Sequence, residues 1–459
     1  MIIVCMTIWT PHIPESGGPL YKKLADAIER AIACGELKPG ERLPTHRDLA
    51  DVLHMNVSTV TRGYLEAEKR SLVTGTVGRG TYVASDAVTN TSMVSFEPEM
   101  PGLLDLGLVS QLSCLDPDIT EGFRRIARRK DPAAFMRYTD PRGLPEHRAA
   151  GALWASRYGL EVEAEDIIVC SGSQHGLTCC MSGLLRPGDR IATDALTYPG
   201  MKTLASMLGM RLVPIAMDEH GMIPESLDVA CRRDDIKAVY LMPDVHNPTT
   251  ATIPESRRDR IAHLAEVHDL LIIEDDAYAL TGTGGQTPIT ARVRQRGVFV
   301  AGISKSFAAG LRVSFLVVPK RHLKPLAQAV LNTIWMSPAL NAELVSMWIL
   351  DGTADAVVKR KQAEGAQCFQ VASNALKELR FQGKPNGFFI WLELPERWTG
   401  QMLERAARRA GISIFGAEKF AVGQTSPPPA ARISLTGIED FTTLHNALTT
   451  LREILRPHP

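Results

Sequence analysis

Read for the spacing of its apolar positions, the chain changes character once, near residue 84. In its first part, apolar residues at 20, 24, 27, 28, 31 and 32 form a helical stripe, and Gly35 suits the position just past a helix end. Thr45 is placed as the N-cap of a short helix from residue 46. The stretch "NVSTVTRGYLEAEKRSL" is helical again, with Val60, Tyr64 and Leu65 turned inward and Asn56, Ser58, Thr59 and Arg62 outward. "VTGTVGRGTYVA" then alternates β-branched residues around glycines, the pattern of a two-stranded wing. Helix, short helix, helix and wing in this order predict a winged helix-turn-helix over residues 12–83. The polar start of its third helix is the part shaped to enter a major groove. Arg47 is placed to hold a phosphate, and Arg79 at the wing tip to reach backbone or minor groove.

Residues 84–103 lose all periodicity and read as a linker. From 104 to 457 the pattern becomes short apolar runs separated by helix-sized stretches: "DIIVCSG", "DRIATDA", "RLVPIAMD", "KAVYLMPDV", "LLIIEDDA" and "GVFVAGIS". Runs this continuously apolar are buried on both faces, which predicts an α/β domain with a mostly parallel sheet between helices. "GFFIWLELP" and "ARISLTG" suggest a smaller α+β subdomain at the C-terminal end.

Charge and cysteine usage narrow the partners. The formal net charge is zero, and residues 1–84 hold ten Lys/Arg against nine Asp/Glu, so DNA affinity rests on a few placed contacts rather than a cationic face. No apolar run approaches the ~18 residues of a membrane helix. The apolar start "MIIVCMTIWTP" has neither a basic flank nor a small-residue cleavage site, so no secretory signal is expected. The eight cysteines show no CxxC spacing and read as small apolar residues of a reducing, cytoplasmic compartment. His263 and His268 fall on different faces of a helix, and no metal site is expected.

Candidate chemistry gathers where strands end. In an open α/β sheet, ligands lie beyond the carboxyl ends of the strands. Ser171, Gly172, Ser173 and Gln174 follow one strand and open a helix, offering backbone N–H groups to an anion. Asn247, Asp275 and Tyr278 follow two more strands, and Lys305 a fourth. Singly, each has an ordinary explanation: a tight turn, an N-cap, a packed phenol, a solvated amine. Together, an anion cup, an amide, a carboxylate, a phenol and an amine on one rim suit pyridoxal 5′-phosphate. Lys305 would form the imine as a neutral amine, favoured by partial desolvation. Asp275 would keep the ring nitrogen protonated. Asn247 and Tyr278 would bond the phenolate oxygen, while Ser304, Arg312 and the Ser171–Gln174 segment would hold the phosphate.

Two resemblances extend this reading. "PLYKKLADAIERAIACGELKPGERLPTHRDLADVLHMN…VSTVTRGY…VGRGTYVA" resembles a GntR-type DNA-binding domain over nearly its whole length, which implies that Arg47, Ser58, Thr59, Arg62 and Arg79 lie at or near DNA. His54 stands where many members have glycine. "SGSQ", "NPT", "DDAY", "SKSFAAGLR" and "RIS" occur in the order of the fold-type I aminotransferases. That similarity implies that Tyr198 stacks on the cofactor ring, that Tyr138 reaches the phosphate of a neighbouring subunit, and that Arg432 binds an amino-acid carboxylate. Gly302 replaces a common Ser or Thr, and "VHNPTT" replaces the more usual "QNPTG". The fusion resembles the MocR-type regulators. It implies a homodimer that reads paired promoter half-sites and senses an amine, an amino acid or the cofactor itself. A working aminotransferase with a DNA-binding appendage is the alternative, and a large domain that only dimerises is a third.

Overall fold

The computed structural model describes residues 9–14, 18–33, 36–37, 40–70, 72–76, 80–83, 102–110, 112–282, 286–438 and 440–456. Gly35, Arg79 and most of the expected linker lie outside them.

Helix α1 (Leu20–Ala33), α2 (His46–Val52) and α3 (Val57–Lys69) precede antiparallel wing strands Val73–Thr76 and Gly80–Val83. Leu24, Ile28, Leu49, Val60 and Tyr64 share one core. The α1–α3 crossing is close because residue 63 is glycine: a Cβ there would lie 2.7 Å from Leu24 Cδ2. Thr45 caps α2, its hydroxyl accepting from the Asp48 amide at 3.2 Å. Asn56 caps α3, accepting from both the amide and the hydroxyl of Ser58 at 2.9 Å. Leu65 corrects the sequence reading: it is 52% exposed. The inward stripe runs through Val60, Tyr64 and Ala67, and Leu65 is one position, about 100° of helix, off it.

His54 has φ 50°, a left-handed backbone that glycine adopts without a Cβ penalty, and it is exposed. The family's glycine at this position therefore has a steric reason. The left-handed cost of about 1–2 kcal/mol, less the entropy penalty of glycine, leaves His54→Gly a net gain of about 0.5–1 kcal/mol. Amide hydrogen exchange across α2 and α3 of the full chain should slow about two- to fivefold; no slowing would refute the strain.

The large region is built on seven strands: β1 (Ile167–Cys170), β2 (Arg190–Asp194), β3 (Arg211–Ile215), β4 (Ile236–Leu241), β5 (Leu271–Asp275), β6 (Gly297–Gly302) and β7 (Ser314–Val317). Their order across the sheet is β1-β7-β6-β5-β4-β2-β3. All pairs are parallel except those of β7, which runs antiparallel to both neighbours. The six apolar runs of the sequence are β1 to β6; β7 was not expected. Every residue of β1, β5 and β6 is buried, as strands covered on both faces must be. One face carries Trp154, Phe299 and Phe315 against Trp348, and the other Met181, Tyr240 and Ile273. A second, antiparallel sheet comprises β8 (Phe381–Gly383), β9 (Phe389–Glu393), β10 (Phe415–Gly416) and β11 (Ala430–Ser434), in the order β8-β9-β11-β10. Among the described residues no helix is long and apolar enough to cross a membrane.

Candidate cofactor and effector site

The register explains why residues distant in sequence meet. Gly302 at the end of β6 pairs with Ser314, which in turn pairs with Cys170 at the end of β1. Because β7 is antiparallel, its start lies at the same edge as the ends of its neighbours, and Arg312 is brought there with it. Arg312 takes φ 50°, donates to Ser304 Oγ at 3.1 Å, and stands over Gly172, where a Cβ would come within 2.3 Å of its Nη2. Gly172 precedes α4 (Ser173–Leu184), so a guanidinium, a hydroxyl and a helix N-terminus border one small space. Gly302 closes it from below. A Cβ there would lie 2.3 Å from Ser173 Oγ, so the Ser173 hydroxyl occupies the place that a Ser or Thr at 302 would need. Two members of the expected cup turn elsewhere: the Ser171 amide donates to His175 Nδ1 at 3.0 Å, and Gln174 Nε2 donates to Gly200 O at 3.2 Å.

Asp275, the last residue of β5, is 5% exposed. Its Oδ2 accepts from Tyr240 at 3.0 Å, while Oδ1 is buried without a hydrogen-bond partner among the described residues. Burial pushes this carboxyl up to about 6, and the Tyr240 bond opposes the shift. A carboxylate so placed is short of one N–H donor, which a protonated pyridine nitrogen supplies. Lys305 Nζ lies 5.9 Å from the centroid of the Tyr278 ring and donates to Val109 O at 2.7 Å. Burial, then the charges of Arg432 and Arg312, lower its pKa to about 8. Tyr278 is buried edge-on against Phe389, with centroids 5.0 Å apart, and burial raises its pKa. Tyr198 is half-buried at the start of α5 (Pro199–Met207), its pKa also raised by burial and by the charge of Asp275.

Arg432 reaches this rim from β11. Fully buried, it lies 5.1–5.7 Å from the ring centroids of Phe389, Phe415 and Phe420, donates to Asn247 Oδ1 at 2.8 Å and bonds the Gly107 carbonyl. Burial lowers its pKa to about 10. Thr250, at the glycine position of the usual "NPTG", has φ 62° and is buried. The donors, the orphaned carboxylate oxygen and the glycine-lined recess fit a pyridoxal phosphate.

Sequence reasoning missed the segment that both cations hold. Gly107 and Val109 belong to a stretch in which Leu104–Asp105 pairs with Ile412–Ser413, Leu106 O accepts from the Ser434 amide at 2.7 Å, and Ser110 O accepts from Thr436 at 2.6 Å. Its one local signal is Asp105, whose carboxylate accepts from the amides of Gly107 and Leu108. Tyr138 is not part of the pocket of its own chain: it is 82% exposed and packs on Trp335 at 5.6 Å. Of the expected DNA contacts, Arg47, Asn56, Ser58 and Arg62 are exposed and Thr59 half-buried, with Arg62 lying 4.4 Å over the ring of Tyr21.

The chain matches the family described as aminotransferase class I and II over residues 110–449, and the bacterial regulatory proteins of the gntR family over 20–83. It is 32% identical to the HTH-type transcriptional regulator YdeF of Bacillus subtilis, across 97% of this chain and 96% of that one. The chain is a MocR-type member of the GntR family. Another MocR-like relative is the vitamin B6 salvage pathway transcriptional repressor PtsJ of Salmonella typhimurium, 25% identical over 92% of this chain and 96% of that one. Among solved structures it resembles the α-aminoadipate aminotransferase LysN of Thermus thermophilus, crystallised with N-(5′-phosphopyridoxyl)-L-leucine. That likeness has a TM-score of 0.68, with 25% identity over 77% of this chain and 94% of that one. MocR-type architecture thus accounts for both halves: a winged helix-turn-helix, which implies a DNA partner, and a fold-type I aminotransferase domain.

Proposed function

We propose that this regulator binds pyridoxal 5′-phosphate through Lys305 and changes its DNA binding when an amine, an amino acid or the cofactor itself occupies the site. The observation that carries the reading is the buried, unpartnered Oδ1 of Asp275 on the same rim as a lysine held near pKa 8. When bound, the cofactor supplies an aldehyde that condenses with primary amines and a ring that withdraws electrons from the attached carbon. The protein's own part is to present a neutral amine at Lys305, to hold the ring-nitrogen proton at Asp275, and to bond the phenolate oxygen with Asn247 and Tyr278. Ser304, Arg312 and the residues opening α4 anchor the phosphate, and Tyr198 covers a ring face. The relatives named for vitamin B6 salvage and for a phosphopyridoxyl ligand agree with this chemistry.

Coupling to DNA follows from what the two cations now hold. A carboxylate arriving at Arg432, or a carbonyl at Lys305, competes with Gly107 O and Val109 O, carbonyls of the segment that follows the linker to the DNA-binding region. Such competition gives the ligand unequal affinity for two arrangements, which regulation requires. We further propose a homodimer that reads two half-sites, with Tyr138 reaching the partner's phosphate site. Its exposure, shared with Met136 at 84% and Trp335 at 56%, is an unpartnered apolar surface of the kind a second copy covers.

The test is binding of the full-length protein to DNA upstream of its own gene, with and without cofactor and a panel of amino acids. Arg47→Ala should weaken binding about three- to tenfold, and at least one ligand should shift it. Gly437→Ala should mimic that ligand, since a Cβ there would lie 2.1 Å from Asp105 O and push the 104–110 segment aside. Rapid turnover of an amino acid with a 2-oxo acid, and no DNA binding, would establish the aminotransferase alternative instead.

A further inference from the structure

Directly behind the anion cup, three side chains that the cofactor reading does not use come together. The ligating atoms of Cys170, His175 and Cys179 all lie within 4.8 Å of one another. Cys170 ends β1 immediately before Ser171, whereas His175 and Cys179 face it from α4. The hydrogen bonds settle the protons. The Ser171 amide donates to His175 Nδ1 at 3.0 Å, so Nδ1 is an acceptor and the neutral ring carries its hydrogen on Nε2. The Thr333 hydroxyl donates to Ala329 O at 2.7 Å or Val330 O at 3.1 Å, leaving its oxygen to accept. His175 Nε2–H is therefore a donor shared between Thr333 Oγ1 at 2.8 Å and Cys179 Sγ at 3.3 Å. This arrangement speaks against a metal, because a metal on Nε2 would need a hydrogen on Nδ1, pointing at the Ser171 N–H. It speaks for a sulfur anion at Cys179, which receives N–H and S–H donors. Hydrogen bonds from Cys170 and His175 hold that thiol down at about 5 against its burial.

We propose that Cys179 and Cys170 are a peroxide-reactive thiol pair, in which Cys179 is oxidised first and Cys170 closes a disulfide with it. Cys179 thiolate attacks a hydroperoxide, taking one oxygen as the sulfenic acid and releasing hydroxide or alkoxide. The Cys170 sulfur then displaces that oxygen as water, so two thiols and one hydroperoxide give one disulfide, with water and an alcohol or a second water. Both sulfurs are buried, and Cys179 Sγ meets half-buried His175 at 3.3 Å and the hydroxyl of exposed Thr333 at 4.0 Å. A hydroperoxide is small enough to pass where a larger thiol reagent is not. Closing the bond draws the end of β1 onto α4 and displaces the imidazole bonded to Ser171, the residue that opens the phosphate cup. Resting on the cofactor reading, a loss of affinity for pyridoxal 5′-phosphate follows.

The full-length protein, freed of reductant, is titrated with hydrogen peroxide and mapped by peptide mass after alkylation under denaturing conditions. A Cys170–Cys179 cross-link should form, also in Cys180→Ser, and dimedone added together with denaturant should label Cys179 in Cys170→Ser. Oxidised wild-type protein should bind the cofactor at least tenfold more weakly, with recovery on reduction. If Cys170 and Cys179 remain alkylatable when exposed Cys114 has been oxidised, the pair is inert and the proposal is overturned, whether or not the variants fold. A cross-link with unchanged cofactor affinity overturns the link to the cup. A protein that binds no cofactor even when reduced defeats the cofactor reading, and the peptide map alone then decides the thiol pair.

Discussion

Lys305→Ala abolishes the visible absorbance that the wild-type protein acquires with pyridoxal 5′-phosphate, leaving a colourless protein after dialysis. The expected effect is total because a covalent bond to this amine, rather than a set of additive contacts, carries the chromophore. The neighbouring groups explain why this amine and not another. Burial and the positive charges of Arg432 and Arg312 bring Lys305 to about 8, against about 10.4 for a solvated lysine. At pH 7 its neutral fraction is then on the order of a hundredfold above that of a surface lysine. The sign of the pH dependence follows: capture of the cofactor should accelerate as pH rises through about 8, as the ammonium loses its proton, and level off above. Stopped-flow absorbance of the cofactor-free protein across pH 6.5–10 measures both the plateau and the midpoint, and a rate still climbing near 10 would show that the amine is not depressed.

Arg432→Gln should remove the response to amino acids while sparing the response to amines that lack a carboxylate. The guanidinium is fully buried, caged by three aromatic rings and, among the described residues, hydrogen-bonded only to neutral oxygens of Asn247 and Gly107. A buried cation with neutral acceptors is under-compensated, and a carboxylate supplies the missing charge. Charge-assisted hydrogen bonds contribute about 1.5–3 kcal/mol each, so losing the pairing should weaken amino-acid binding about 10- to 100-fold. Glutamine keeps a neutral polar group in the pocket and limits the loss of stability that alanine would bring. Titration of the visible spectrum with matched amine and amino-acid pairs reads the difference; equal weakening of both would place the carboxylate elsewhere.

Much of this was legible because it is local. Thr45 and Asn56 cap helices through amides two and three residues away. Strands β1, β5 and β6 show as apolar runs because burial on both faces leaves no polar alternation, whereas the edge strand β3 exposes Arg211 and leaves Leu212, Val213 and Pro214 half-buried. Departures from the family pattern were also legible as residues, though not as strain. His54 and Thr250 replace glycines, and both take left-handed backbone angles. The wrong inward assignment of Leu65 arose because apolar character does not say which side of a helix its neighbours cover.

The list of elements and the order of chemically capable residues at their ends follow from the residues alone, since propensity, capping and periodicity act over a few positions. Which of those ends meet is set by long-range packing. The antiparallel entry of β7 delivers Arg312 beside Gly172, and β11 delivers Arg432 to Asn247, a partner 185 positions away. The 104–110 segment accepts from both site cations, and Cys170 and Cys179 converge behind the cup. These contacts depend on sheet order and on packing between elements far apart in the chain, and side-chain spacing along one segment carries no record of them.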